Sequence, residues 1–149
     1  MNYLFDTNII SDLYITSSKQ HLSIIEKFKS LASSDTIAIS ILTLYELEYA
    51  YGNAPSDKKI ILRNNINHIK ANFDIASLSI TSAELFGVLK KQFKDSSMIS
   101  RENIKKHTID IMLASCAISD NYIIVSNDKI FSALQNLYNE LNIENWTGH

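Results

Sequence analysis

The feature that most constrains this chain is an alternation. Short runs rich in apolar and β-branched residues are separated by longer stretches in which apolar residues step by three and four. Tyr3-Leu4-Phe5 ends at Asp6, and Thr36 to Ile41 follows Ser33-Ser34-Asp35. Ile75 to Ile80 is a weaker run, Tyr122 to Val125 ends at Ser126-Asn127-Asp128, and Ile143 begins a short last one. Runs of this length and content read as buried strands. Between them, Leu22, Ile25, Phe28 and Leu31, with Ile24 alongside, predict one apolar helical stripe. Ile60, Ile61, Ile66 and Ile69 predict a second, and Ile109, Met112, Leu113, Cys116 and Ala117 a third. Ser56-Asp57 and Thr81-Ser82 are expected to cap the helices that follow them. Strands alternating with helices predict an α/β fold with a mainly parallel sheet covered on both faces. Such sheets hold ligands beyond the carboxyl ends of their strands.

Composition narrows the class. One proline and three glycines in 149 residues mark no linker, so 1–149 is expected to be a single domain. There is no run of about 18 uncharged apolar residues, so no membrane span is expected. The opening MNYLFDTNIISDLY lacks a basic start before an apolar run, so no signal peptide is expected. The sole cysteine, Cys116, lies in an apolar helical pattern and reads as core. These features together predict a cytoplasmic protein. A net charge of −2 means that affinity for phosphate must come from local basic patches or bound cations.

Four acids fall where the predicted sheet would hold a ligand. Asp6 directly follows the first run, Glu46 follows the second where a helix is expected to begin, and Asp128 follows the strand ending at Val125. Asp110 sits early in the apolar helix leading into that strand. Clustered carboxylates repel and raise one another's pKa. Mg²⁺ or Mn²⁺ relieves that repulsion, because hard cations prefer oxygen ligands, and it activates water against a phosphodiester. No Gly-rich phosphate loop, Cys/His metal spacing or G-x-S-x-G competes for the chemistry. With 16 acids in the chain, a helix-cap or first-turn role for Glu46 and Asp110 stays open. Asp6 is harder to explain that way, since it directly follows an apolar strand.

The ordered set of motifs resembles the PIN-domain family. Asp6-Thr7-Asn8-Ile9-Ile10-Ser11 is similar to the family's opening motif, and Ser40 to Leu47 to its second, a Ser/Thr-rich strand end leading to a helical Glu. Asp110-Ile111-Met112-Leu113-Ala114 resembles the third, Val125 to Phe131 the fourth, and Glu144-Asn145-Trp146 a common family ending. The likeness spans nearly the whole chain and is strongest to VapC-type toxins of bacterial toxin–antitoxin pairs. It implies a three-layer α/β/α fold around a central, mainly parallel sheet of about five strands. It also implies an endoribonuclease dependent on Mg²⁺ or Mn²⁺, a homodimer, and neutralisation by a cognate antitoxin. By motif match, Asp6, Glu46, Asp110 and Asp128 would hold the metal directly or through water, with Asn8 and Thr43 orienting the carboxylates. Ile130 stands where many relatives carry a polar or acidic residue, so Asn127 stays open as sharing or taking the role of Asp128.

Lys105, Lys106 and His107 precede Asp110 closely and are candidate RNA contacts. Lys90, Lys91 and Lys94, like Lys58, Lys59 and Arg63, are expected to form solvated faces. Tyr45, Tyr49 and Tyr51 are expected to be half-buried; if exposed, they suit an antitoxin helix or a dimer contact. Two alternatives remain beside the toxin reading. One is a PIN-like nuclease of RNA processing or of DNA; the other is a non-catalytic PIN-like binding module, which predicts no metal-dependent cleavage. A response-regulator receiver is disfavoured, because it expects adjacent acids after the first strand and a lysine after a late one.

Overall fold

Each β-rich run contains a strand, and the strands join into one parallel sheet. The computed structural model describes residues 1–96 and 101–148. In chain order the elements are β1 (Asn2–Phe5), α1 (Thr7–Tyr14), α2 (His21–Lys29), β2 (Thr36–Ser40), α3 (Ile41–Asn53) and α4 (Ser56–Asn72). They continue with β3 (Asp74–Ala76), α5 (Ile80–Asp95), α6 (Arg101–Lys106), α7 (Thr108–Ser119), β4 (Ile123–Val125), α8 (Lys129–Leu137) and β5 (Asn142–Glu144). The strand order is β3-β2-β1-β4-β5. The chain therefore builds outward from β1 on one side, then returns to build on the other. That reversal opens a crevice beside the carboxyl ends of β1 and β4.

The strands read as continuous apolar runs because both faces of the sheet are buried. Side chains alternate between faces along a strand. Leu4, Ala38 and Ile124 accordingly join a core with Leu89, Phe93, Ile111 and Phe131 from the later helices. Tyr3, Phe5, Ile39 and Val125 join a second core with Ile9, Ile10, Ile24, Ile69 and Trp146. The result is the expected three-layer α/β/α arrangement with five strands. No helix among the described residues is long and apolar enough to cross a membrane.

Several local expectations are corrected. In α2 the buried residue is Ile24, whereas Leu22 is 72% exposed, so the stripe is turned from the predicted one. In α4, Ile66 and Ile69 are buried but Ile60 and Ile61 face solvent. The helix α5 is capped by Ser79, whose hydroxyl accepts from Ser82 N–H while Ser82 Oγ accepts from Ser79 N–H. That reciprocal pair outcompetes a start at Thr81, and Ile80 becomes the first helical residue instead of the end of a strand. Pro55, not Ser56, precedes the first turn of α4. Ile41 likewise leaves the second strand to open α3, because Ser40 Oγ accepts from Leu42 N–H and caps the helix there.

On the surface, Tyr45 is 72% and Tyr49 75% exposed, against the half-buried expectation; Leu44 and Leu47 supply the helix's contact with the core instead. Arg63 forms a two-pronged pair with Glu48 at 2.9 and 2.7 Å and lies over the Tyr51 ring. Lys91 pairs with Asp95. Both clusters behave as solvated faces.

Candidate active site

The crevice at the strand ends is a cavity of about 100 Å³ lined by Asp6, Glu46, Asp110 and Asp128, together with Thr7, Asn8 and Thr43. All four acids singled out in the sequence therefore line one pocket. Two of them cap helices and two lie within the early turns of helices. Asp6 is the residue between β1 and α1: its backbone N–H extends the sheet ladder to Val125 O, and its side chain caps α1 by accepting from Ile9 N–H at 2.8 Å. Asp128 does the same for α8, accepting from Ile130 N–H at 3.1 Å. Asp110 lies in the first turn of α7. Glu46 lies in the second turn of α3, further into its helix than expected, because that helix starts at Ile41.

Each of these carboxylates is tied to the scaffold, Asp6 through both oxygens and the other three through one. Besides Ile9 N–H, Asp6 accepts from the Ser126 hydroxyl through Oδ2. Thr7 Oγ1 donates to Glu46 Oε1 at 2.7 Å and lies 3.3 Å from Thr43 Oγ1. His107 Nδ1 lies 3.0 Å from Asp110 Oδ2. Among the described residues no hydrogen bond reaches the second carboxylate oxygen of Glu46, Asp110 or Asp128. Thr43 is buried and, among the described residues, is linked to Glu46 through Thr7; Asn8 is exposed at the pocket wall. Asp128 lines the pocket, while Asn127 is exposed and lies outside its lining.

The electrostatics are those of partly buried acids facing one another. Asp6 is almost wholly buried, and its carboxyl is raised to about 6, chiefly by that burial against the lowering by Ser126 and Ile9, with the negative charges of Asp128 and Asp110 adding to the rise. Burial also raises Asp110, with Asp128 adding to the rise and the His107 bond opposing it. The donor set consists of hard oxygens, which suits Mg²⁺ or Mn²⁺. Among the described residues no three His, Cys, Asp or Glu side chains close into a tight ligand set. An ion that keeps several waters and takes one or two carboxylates directly needs no such cage. The residues present fit a hydrated divalent cation.

Ser126 and Thr7 hold pocket acids, although the sequence does not single them out. Ser126 Oγ donates to Asp6 and also accepts from Asp128 N–H at 3.0 Å, so one buried hydroxyl fixes two of the acids. Its signal in the sequence was its position: it follows β4, as Asp6 follows β1, and those strands are neighbours. Ser126→Ala is expected to weaken Mn²⁺ affinity about 10–100-fold, since groups that orient ligands typically carry that much. Metal titration against the native chain measures it, and an unchanged affinity would remove Ser126 from the site.

The fold matches that of a known family. The PIN domain family model matches residues 3–137. The chain belongs to the PIN-domain family. This PIN domain is 30% identical over 147 residues to "Ribonuclease VapC2" of Rickettsia felis, covering 98% of each chain. Among solved structures it is similar to the crystal structure of VapBC2 from Rickettsia felis bound to a promoter DNA fragment. There the TM-score is 0.78 at 25% identity, covering 98% of this chain and 99% of the other. FitAcB from Neisseria gonorrhoeae shares the fold with a TM-score of 0.79 at 18% identity, over 100% of both chains.

Proposed function

We propose that this PIN domain is a divalent-metal-dependent endoribonuclease, the toxin of a toxin–antitoxin pair, and that residues 1–149 act as one domain. The observation that carries the reading is the convergence of Asp6, Glu46, Asp110 and Asp128 on one pocket at the β1–β4 crevice. The likeness to a named ribonuclease over 98% of each chain supports it. The four acids would hold Mg²⁺ or Mn²⁺ directly or through water. Such an ion, when bound, would supply Lewis-acid stabilisation of phosphodiester charge and lower the pKa of a coordinated water.

The chain's own residues provide placement. Ser126 and Ile9 N–H fix Asp6, Thr7 fixes Glu46, and Ile130 N–H fixes Asp128, so the carboxylates need little reorganisation when the ion and the RNA arrive. Lys105 and Lys106 are exposed at the end of α6, just before the helix that carries Asp110. They supply local positive charge for an RNA backbone in a chain whose net charge is −2.

The antitoxin partner belongs to the same reading, supported by similar structures that are VapBC complexes. Tyr45 and Tyr49 offer it exposed aromatic surface on the helix that also carries Glu46. An arginine from such a partner would satisfy the acids in place of the cation. A homodimer and a cytoplasmic location complete the proposal.

The test is a calorimetric titration of Mn²⁺ into the purified, antitoxin-free chain, with Asp6→Asn/Asp110→Asn as control, followed by RNA cleavage. Binding and cleavage in the native chain, both lost in the control, are the expected result. A folded native chain that cleaves no RNA with Mn²⁺ or Mg²⁺ would favour a binding module. Cleavage of DNA alone would move the chain to a different nuclease class.

A further inference from the structure

His107 is the residue at which α6 ends and α7 begins. Its backbone N–H donates to Asn103 O and Ile104 O, each at 3.3 Å, and its carbonyl accepts from Ile111 N–H at 3.0 Å. Both halves of its peptide backbone are therefore committed to the helix junction. The ring lies edge-on to Phe93, with centroids 6.1 Å apart and planes at 89°, and Phe93 is fully buried. Backbone and ring are thus both held from outside the pocket.

From that fixed position Nδ1 meets Asp110 Oδ2. A carboxylate oxygen only accepts, so Nδ1 carries the hydrogen. A residue at the start of a helix commonly turns its side chain onto the helix's own N–H groups. His107 makes no such bond, and its ring engages Asp110 instead. Asp110 is about one-third exposed, so its carboxylate has space to adopt other rotamers. A fixed N–H on one oxygen removes that freedom before the ligand arrives, which lowers the ordering cost of binding.

We infer that His107 is a positioning residue for the metal site: its Nδ1–H holds Asp110 by Oδ2 and leaves Oδ1 for the cation. It acts on the ion through Asp110. The inference rests on the four-acid reading given above. The same arrangement, with a ligand's partner fixed by surrounding packing, is what makes such supports matter for affinity.

The test uses Mn²⁺ titration calorimetry on the full chain, with thermal melting recorded for every variant. His107→Phe keeps a ring against Phe93 and removes the hydrogen bond. His107→Gln carries its amide too far along the side chain to replace Nδ1, and removes the bond by a second route. His107→Asn loses the ring but places an amide N–H near the position of Nδ1. Phe and Gln are expected to weaken Mn²⁺ binding about 10–100-fold, and Asn to restore most of it. The reverse order, with Phe native-like and Asn weakened, assigns His107 to packing and overturns the inference; equal weakening in all three does the same. Asp110→Asn separates the two levels. If it binds Mn²⁺ like the native chain, the four-acid reading fails and the inference with it. If it loses Mn²⁺ while all the His107 variants bind normally, only the inference fails.

Discussion

Asp6→Asn is expected to abolish RNA cleavage and, in the metal-free chain above about pH 6, to make the fold more stable. The loss follows from the ligand role proposed for Asp6. Groups that merely orient metal ligands carry about 10–100-fold, so removing a central carboxylate should cost at least about 100-fold in kcat/KM. The stability gain follows from burial. Asp6 has its carboxyl raised from 3.8 to about 6 in the folded chain, mainly by desolvation. Between those values the folded state binds more protons than the unfolded one, so this group's contribution falls as pH rises through about 6. The penalty above that range is on the order of 3 kcal/mol, and it vanishes below about pH 4, where both states are protonated. Asparagine carries no charge to desolvate, still accepts from Ile9 N–H, and is as good a cap as aspartate. Urea unfolding in a chelator at pH 5 and pH 8 reads the effect. The native chain should lose stability between the two, and Asp6→Asn should lose less. Equal slopes in both proteins would show that Asp6 is not the desolvated group, and metal-dependent cleavage by Asp6→Asn would remove it from the site.

The second large effect is expected in the core beneath that acid. Phe5→Ala should destabilise the fold by about 3–5 kcal/mol, the usual range for deleting a buried aromatic. Phe5 is fully buried on the middle strand of the sheet. Its ring meets Trp146 edge-on at 5.1 Å and tilts against Phe73 at 6.3 Å, so truncation also removes aromatic contacts worth about 0.5–1.5 kcal/mol apiece. Domains of this kind have total stabilities of roughly 5–15 kcal/mol, so the variant stands at the edge of folding. Phe5→Leu keeps much of the volume and should lose less than about half as much. Denaturant midpoints of the three proteins measure the series. An alanine variant within about 1 kcal/mol of the native chain would mean that the second core is not packed around Phe5.

The central strands were legible because they are buried on both faces, which leaves β1 and β4 as uninterrupted apolar runs. The weaker signal of β3 has a physical cause: Asp74 and Ile75 are exposed at the sheet edge, so little burial selects their types. Helix positions were legible, but their rotation was less so. In α2 several phases fit the apolar residues, and only the tertiary contact of Ile24 chooses among them. Tyr45 and Tyr49 read as half-buried because tyrosine commonly is; Leu44 and Leu47 face the core instead. At the site, Asp6 stood out as an acid that closes an apolar strand, whereas Asp128 follows its strand at a distance and left Asn127 open beside it. Ser126 and Thr7 did not stand out, because a hydroxyl beside an acid looks like ordinary turn chemistry until the adjacency of β1 and β4 is known.

Two of the pocket acids, Asp6 and Asp128, are also the first caps of the helices that follow them. A screen that reports only how much folded chain accumulates would therefore score asparagine at positions 6 and 128 as neutral or favourable. A screen for cleavage would score the same substitutions as null. The two maps should diverge most at these helix starts and agree at Phe5, where folding and catalysis fail together. Sequence variation that preserves abundance is thus a poor guide to whether a relative with Asn at these positions still cuts RNA.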